Sequence, residues 1–315
     1  MIGTGPYDSL REYLTAVEAH GKLIKIDKID QDAYELTGFM YKLIDKYGWL
    51  DAPAVLVENV KVSGEWMEGP ILINQYGMGG HEALVVGVPL DEIDPEDHIL
   101  NYKKSLDKML KEMPIEPMKT KEVKTSDAPS KEVVLKGDEI DILNFPFIQT
   151  NPADNGRFIN TGNLITIDPD GGRNVGTYRM QIKGPRKIGI SPERNQDGWK
   201  ALMAHKEKGA SHANVAVVLG SDPIVFAMSS SKTARSGQDE LEIAGGFKGE
   251  PIEVVKCEDS DIMVPANVEM IIEGEIPLDD FEEEGPFGEM YGYMGLPHES
   301  TFYMNIKTVT HRKNP

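Results

Sequence analysis

Residues 159–167 and 173–182 are two strand-length runs separated by Asp168-Pro169-Asp170-Gly171-Gly172. A connection that rich in Asp, Pro and Gly between strand-length runs closes them into an antiparallel hairpin. Further short apolar runs at 215–219, 224–228, 252–257 and 268–276 each read as a strand. Dense short strands with few helices among them favour a small barrel or sandwich. The first third of the chain follows another rhythm. Ser9 and Glu12 fit a capping box, and Leu10, Tyr13, Leu14 and Val17 share one helical face, which predicts a helix over 8–20 stopped by Gly21. A strand at 23–26, a helix over 34–47 burying Leu36, Phe39, Met40 and Leu43, and strands at 54–57 and 71–73 follow. That alternation is an α/β layer. Residues 111–135 are turn-rich and poorly periodic, as a linker is. The chain is therefore expected to be α+β with two domains, an N-terminal α/β domain at 1–115 and a strand-rich domain at 116–315.

Charge narrows the partners. A formal net charge of −19 repels nucleic acids and anionic membranes, while a local basic pocket for a small anion stays compatible with it. Cys257 is the single cysteine, so no intramolecular disulfide is possible and a cytoplasmic setting is expected. Within its apolar run it reads as a buried structural thiol. No segment reaches the ~18 apolar residues of a membrane span. The first residues lack a basic start followed by an apolar stretch, so no signal peptide is expected.

Chemistry-bearing residue types gather in four places. In Glu284-Gly285-Pro286-Phe287-Gly288-Glu289, two carboxylates flank a turn whose Gly and Pro set their separation. Neighbouring carboxylates push one pKa upward, which keeps a proton donor available near neutral pH. The competing use is a solvated acidic loop, because residues 279–284 are already acid-rich. Arg179 lies among apolar strand residues and needs a counter-charge if buried, or else marks an exposed strand face. His205 ends an apolar helix-like stretch, where a capping or core histidine is the commoner use. Ser229-Ser230-Ser231-Lys232-Thr233 could hold a phosphate, and Asp239-Glu240 suits a helix N-terminus.

In order and spacing these strings resemble the UbiD family of reversible decarboxylases, which use prenylated FMN. The resemblance begins with Ser9-Leu10-Arg11-Glu12-Tyr13-Leu14 and passes through Leu72-Ile73-Asn74-Gln75-Tyr76-Gly77. It is strongest in Asn174-Val175-Gly176-Thr177-Tyr178-Arg179-Met180-Gln181, in Val254-Val255-Lys256-Cys257 and in the Glu284–Glu289 string. It implies a split β-barrel similar to flavin reductases in the second domain. By position it implies that Arg179, Glu284 and Glu289 are the catalytic Glu–Arg–Glu network. Asn174, His205 and Glu240 would ligate Mn²⁺ or a similar divalent ion. Thr177, Tyr178 and Arg179 would line the flavin, with Ser230 and Ser231 near its phosphate and an accompanying K⁺. The implied reaction is reversible non-oxidative decarboxylation of an aromatic, heteroaromatic or α,β-unsaturated acid through a covalent adduct with prenylated FMN. A flavin prenyltransferase would supply the cofactor, since no side chain is an adequate electron sink. Arg179 would grip the substrate carboxylate, Glu289 would donate the proton that replaces CO2, and Glu284 would tune both.

Some features depart from the family pattern. Relatives continue past His311-Arg312-Lys313-Asn314-Pro315 into a C-terminal oligomerisation domain, which is expected to be absent here. The resemblance then implies a homo-oligomer or a partner subunit that supplies it. The loop over 184–199 is longer than usual and is expected to reshape access to the cofactor. Asn174 and Arg179 are five apart and fall on opposite faces of a regular strand, so either the cofactor wraps the strand end or the strand bends, at Gly176. Tyr291, Tyr293, Met294 and His298 are expected to border a pocket. Two other classes stay open: a flavin-binding non-catalytic subunit of a larger complex, and a metal-dependent hydrolase using His205, Glu240 and Glu289.

Overall fold

The computed structural model describes residues 3–235, 237–289 and 292–315. The chain divides into two compact units, Met1–Glu116 with Asp222–Ile224, and Pro117–Ser221 with Val225–Pro315. No helix among the described residues is long and apolar enough to cross a membrane.

In the first unit α1 (Leu10–Ala19), β1 (Leu23–Asp30), α2 (Glu35–Tyr47), β2 (Ala54–Val62), β3 (Glu65–Ile73), α3 (Gly79–Val85) and α4 (His98–Glu112) follow in chain order. The Ser9 hydroxyl accepts the Glu12 N–H at 3.1 Å, and the Glu12 carboxylate accepts the Asp8 N–H at 2.9 Å. That exchange starts α1 where the capping signal puts it, and Gly21 ends it with φ +66°. β1 pairs parallel with β2, and β2 antiparallel with β3, in one sheet of order β1-β2-β3. Its core is built on Tyr13, Val17, Leu36, Val55, Val57 and Leu84, all buried.

The second unit carries β4 (Lys121–Glu122), β5 (Val133–Lys136), β6 (Phe158–Ile167), β7 (Arg173–Gly184), β8 (Lys187–Ile190), α5 (Asp197–Glu207) and β9 (His212–Leu219). After α6 (Pro223–Ser230) come α7 (Glu240–Lys248), β10 (Glu253–Lys256), β11 (Met263–Pro265), β12 (Met270–Pro277), β13 (Glu282–Glu284) and β14 (His298–His311). β6 and β7 form the expected hairpin, its turn closed by the Asp168 N–H donating to Gly172 O at 2.7 Å. The strand path β12-β9-β6-β7-β8-β14 returns to β12, which closes a barrel of six strands. β5 and β13 both pair with β14, and β11-β10-β4 forms a small side sheet. The barrel core holds Leu164, Met180, Ile188, Ile190, Val217 and Ile272. Cys257 is buried and free, as its apolar run suggests.

Two elements differ from the sequence reading. Residues 224–228 are not a strand but lie within α6. Pro223 suits a first helical turn and the Asp222 carboxylate accepts the Ile224 N–H at 2.9 Å, so the local start signal overrides an apolar run that fits either element. The ladder between β6 and β7 runs unbroken through Gly176, so the strand does not bend there. The irregularity lies further on. Ile159 pairs with Met180 and Gly162 with Tyr178, leaving Asn160 and Thr161 opposite Arg179 alone. An extra residue of this kind is a β-bulge, a device that re-aims side chains.

Candidate active site

Alternation along β7 sends Tyr178, Met180 and Ile182 into the barrel core and turns Thr177, Arg179 and Gln181 to its other face. Glu284, at the end of β13, is fully buried on that second face. Its carboxylate takes the Arg179 Nε at 3.1 Å and Nη2 at 3.2 Å, a two-pronged, charge-assisted contact. Arg179 keeps 23% exposure and stacks over the Phe287 ring at 5.0 Å. Glu289 comes at the guanidinium from the remaining side, with Oε1 3.7 Å from Nη1 and 55% of its side chain exposed. The sequence-predicted trio is therefore one cluster. One carboxylate locks the arginine, and the other faces solvent beside it.

Thr177 heads a second cluster. Its hydroxyl meets Ser230 Oγ at 2.9 Å, Ser229 Oγ at 3.0 Å and the Asn163 amide at 2.8 Å. Asn163 also donates to Ser229 at 2.8 Å and accepts from the Ser221 hydroxyl at 2.7 Å. Ser231 does not join this set and bonds Thr233 at 2.7 Å instead. Tyr178 points the other way, into the core. Burial pushes its phenol up to about 12, against the Gly198 main chain, so on the Thr177–Arg179 face it can offer only backbone. Asn163, Ser221 and Ser229 are the additions that the sequence reading missed. The available signal was a polar Asn163 inside an apolar strand, where a buried amide must find partners.

The three expected metal ligands are all tied to the turn end of the β6–β7 hairpin. Asn174 Nδ2 donates to Thr166 Oγ1 at 3.4 Å, the His205 Nε2 meets Ile167 O at 2.7 Å, and Glu240 Oε2 accepts the Val175 N–H at 2.7 Å. A carbonyl only accepts, so Nε2 of His205 is the donor in this contact. Asn174 keeps Oδ1, and the Glu240 carboxylate keeps acceptor capacity. Burial first, and then the Asp239 and Asp197 carboxylates, push the Glu240 carboxyl up to about 7. A desolvated acid, an amide oxygen and an imidazole are thus anchored to the same hairpin end. No group of three or more His, Cys, Asp and Glu that could hold a metal ion occurs among the described residues. A cleft of about 540 Å³ lined by Ile167, Arg173, Gln238 and Asp239 opens at the same hairpin end.

Of the residues expected at the pocket border, Tyr293 is 76% and Met294 41% exposed. His298 pairs with Glu284 across β13 and β14, its Nδ1 3.4 Å from Ser191 Oγ. Tyr291 lies outside the described residues. Within 184–199, β8 takes up residues 187–190 and α5 begins at Asp197.

The description of the UbiD family, 3-octaprenyl-4-hydroxybenzoate carboxy-lyase Rift-related domain, matches residues 121–315, more than half of the chain. The chain belongs to the UbiD family. It is 32% identical over 318 residues to a phenolic acid decarboxylase of Bacillus subtilis (strain 168), a match that covers 98% of this chain and 63% of that one. Among solved structures it superposes on the vanillic acid decarboxylase of Sedimentibacter hydroxybenzoicus in open form. That match has TM-score 0.84 and 26% identity, covering 99% of this chain and 63% of that one. An evolved dimeric form of the UbiD-class enzyme HmfF from Pelotomaculum thermopropionicum, solved in complex with prFMN, gives TM-score 0.80 and 30% identity over 98% of this chain and 66% of that one. The chain thus spans about 63% of the length of its relatives.

Proposed function

We propose that this chain carries the prenylated-FMN site of a reversible decarboxylase acting on an aromatic, heteroaromatic or α,β-unsaturated carboxylic acid. The observation that carries the reading is the division of labour around Arg179. Glu284 occupies the Nε/Nη2 edge, so the substrate carboxylate is left the Nη1 side, which Glu289 adjoins at 3.7 Å. When bound, the flavin supplies the electron sink that no side chain provides. Ser230 and Ser231 would lie near its phosphate and an accompanying K⁺, beside Thr177, whose hydroxyl meets Ser230 Oγ at 2.9 Å. Asn174, His205 and Glu240 hold a divalent ion that offsets phosphate charge in a chain of net charge −19.

Arg179 orients the acid so that its carboxylate leaves toward Nη1. The electron pair of the broken C–C bond stays with the carbon, and the proton of the Glu289 carboxyl forms the new C–H bond. Glu289, more than half exposed, stands in contact with water. Glu284 keeps Arg179 from following the departing charge. General acid transfer of this kind contributes roughly 10²–10⁴ in rate. Carboxylation is the same path reversed.

Co-expression with a flavin prenyltransferase, followed by native mass spectrometry and a visible spectrum, tests the cofactor assignment. The expected species carries one flavin and one divalent ion per chain. A colourless protein that binds only metal would turn the reading toward a hydrolase using His205, Glu240 and Glu289. A second reading, a flavin-binding subunit of a larger assembly, is favoured by the VdcD component that accompanies the Sedimentibacter enzyme. A flavin-loaded chain without turnover until a second polypeptide is added would select it.

A further inference from the structure

We propose that Asp154 is a positioning residue for Glu289. It holds the Gly288 main chain and so fixes the side chain one residue further on beside Arg179. The inference rests on the proton-donor role given to Glu289 above and deepens it.

The turn between the two carboxylates is laid on residues from another part of the chain. The Gly285 N–H donates to Gln181 Oε1 at 3.1 Å, and Gly285 O accepts from the Asn155 amide at 2.9 Å. Pro286 O accepts the Asn155 N–H at 2.9 Å. The Gly288 N–H donates to Asp154 Oδ1 at 2.7 Å, the shortest contact of the set. Asp154 is itself 5% exposed, and its Oδ2 accepts the Asn151 N–H at 2.7 Å. Among the described residues no Lys or Arg pairs with it. A buried carboxylate without a cation is kept because each oxygen takes an N–H, the charge-assisted arrangement that an amide side chain can meet only once.

Beyond Gly288 the remaining bonds are local. The Glu289 N–H reaches Tyr293 O at 2.7 Å and the Gly295 N–H reaches Phe287 O at 3.0 Å. Tyr293, Met294 and Leu296 are exposed, so residues 292–296 have little packing to place them. Phe287 anchors the turn against Phe158 at 4.7 Å. Among the described residues, the tie from a buried charge to Gly288 is therefore the Asp154 bond. Gly288 lies directly on this support, since a Cβ there would meet the Asn151 amide nitrogen at 2.4 Å. Gly288→Ala should press on the Asn151 amide and on Asp154 Oδ1, which the Cβ would meet at 3.3 Å, and so disturb the same support from the other side.

Amide hydrogen exchange on the cofactor-free protein decides the claim. Asp154→Asn and Gly288→Ala should each speed exchange over 285–295 by roughly tenfold or more, the loss of one charge-assisted bond, with the barrel strands unchanged. In the flavin-loaded protein both should lower kcat by roughly ten- to a hundredfold with KM for the acid near wild type, because Arg179 and Glu284 are untouched. Unchanged exchange over 285–295 in both variants overturns the proposal, as does faster exchange with unchanged kcat. If Asp154→Asn does not fold, Gly288→Ala carries the same readings. A wild-type chain that releases no CO2 would sink the proton-donor reading instead, and the exchange result still decides whether Asp154 holds the segment.

Discussion

Replacing Glu284 by Gln is expected to destabilise the second unit by about 2–3 kcal/mol. Glu284 is fully buried, whereas its partner Arg179 keeps 23% exposure. Breaking a fully buried ion pair by removing one partner costs about 3–5 kcal/mol, because a charge is stranded. Here the stranded guanidinium keeps part of its water and keeps Glu289 at 3.7 Å, which places the expected loss below that range. Glutamine would satisfy one of the two N–H groups and turn its own NH2 against the other. Urea unfolding of the cofactor-free protein measures this. Of the three tryptophans, Trp49 and Trp66 belong to the first unit and Trp199 to the second. In a Trp49→Phe, Trp66→Phe background the fluorescence therefore reports on the barrel. With a slope of about 1–3 kcal/mol per molar urea, the midpoint should fall by roughly 0.7–3 M. A midpoint shift under about 0.3 M at unchanged slope would mean that the Arg179–Glu284 contact is not formed in solution, and the proposed grip on the substrate carboxylate would lose its basis.

Three further outcomes follow from the geometry. His81 is fully buried, and burial lowers its imidazole from 6.5 to about 4, with the Nε2 proton given to Lys22 O. The unfolded chain takes up a second ring proton first as pH falls, so the first unit should lose about 3 kcal/mol between pH 6.5 and 4; His81→Gln should flatten that slope, and a wild-type stability independent of pH in this window would refute it. Mn²⁺ should raise the melting temperature of the wild-type chain and leave His205→Ala unmoved, whereas equal shifts in both would remove His205 from the ligand set. Gly274→Ala would push a Cβ to 2.2 Å from Asn305 O, where β12 and β14 close the barrel, and should cost about 1–3 kcal/mol; a neutral result in urea unfolding would show that the closure is looser than described.

Much of this was legible in the residues, for identifiable reasons. The β6–β7 hairpin and α1 carry their own start and stop chemistry, so local signals sufficed. The Arg179, Glu284 and Glu289 cluster was legible through the resemblance to the UbiD family, because the residues by themselves left Arg179 open as an exposed strand face and the two carboxylates as a solvated loop. α4 was missed because its buried positions include His98, Asn101 and Ser105, which break the apolar periodicity on which helix reading depends. α6 was misread because a short apolar run has no period of its own. Ser229 and Asp154 stayed hidden for a different reason. Their partners Asn163 and Gly288 lie 66 and 134 positions away, and no local rule links residues so far apart. The orientation of Tyr178 was readable, since alternation places it opposite Arg179.

The central claim is that Glu289, held beside Arg179, supplies the proton that replaces CO2. Its most direct test is release of ¹³CO2 from carboxyl-labelled phenolic acids by the chain loaded with prenylated FMN, wild type against Glu289→Gln. The account predicts labelled gas from the wild type and a loss of roughly 10² or more in the variant, with an unchanged flavin spectrum. A Gln variant that evolves gas at the wild-type rate would contradict it.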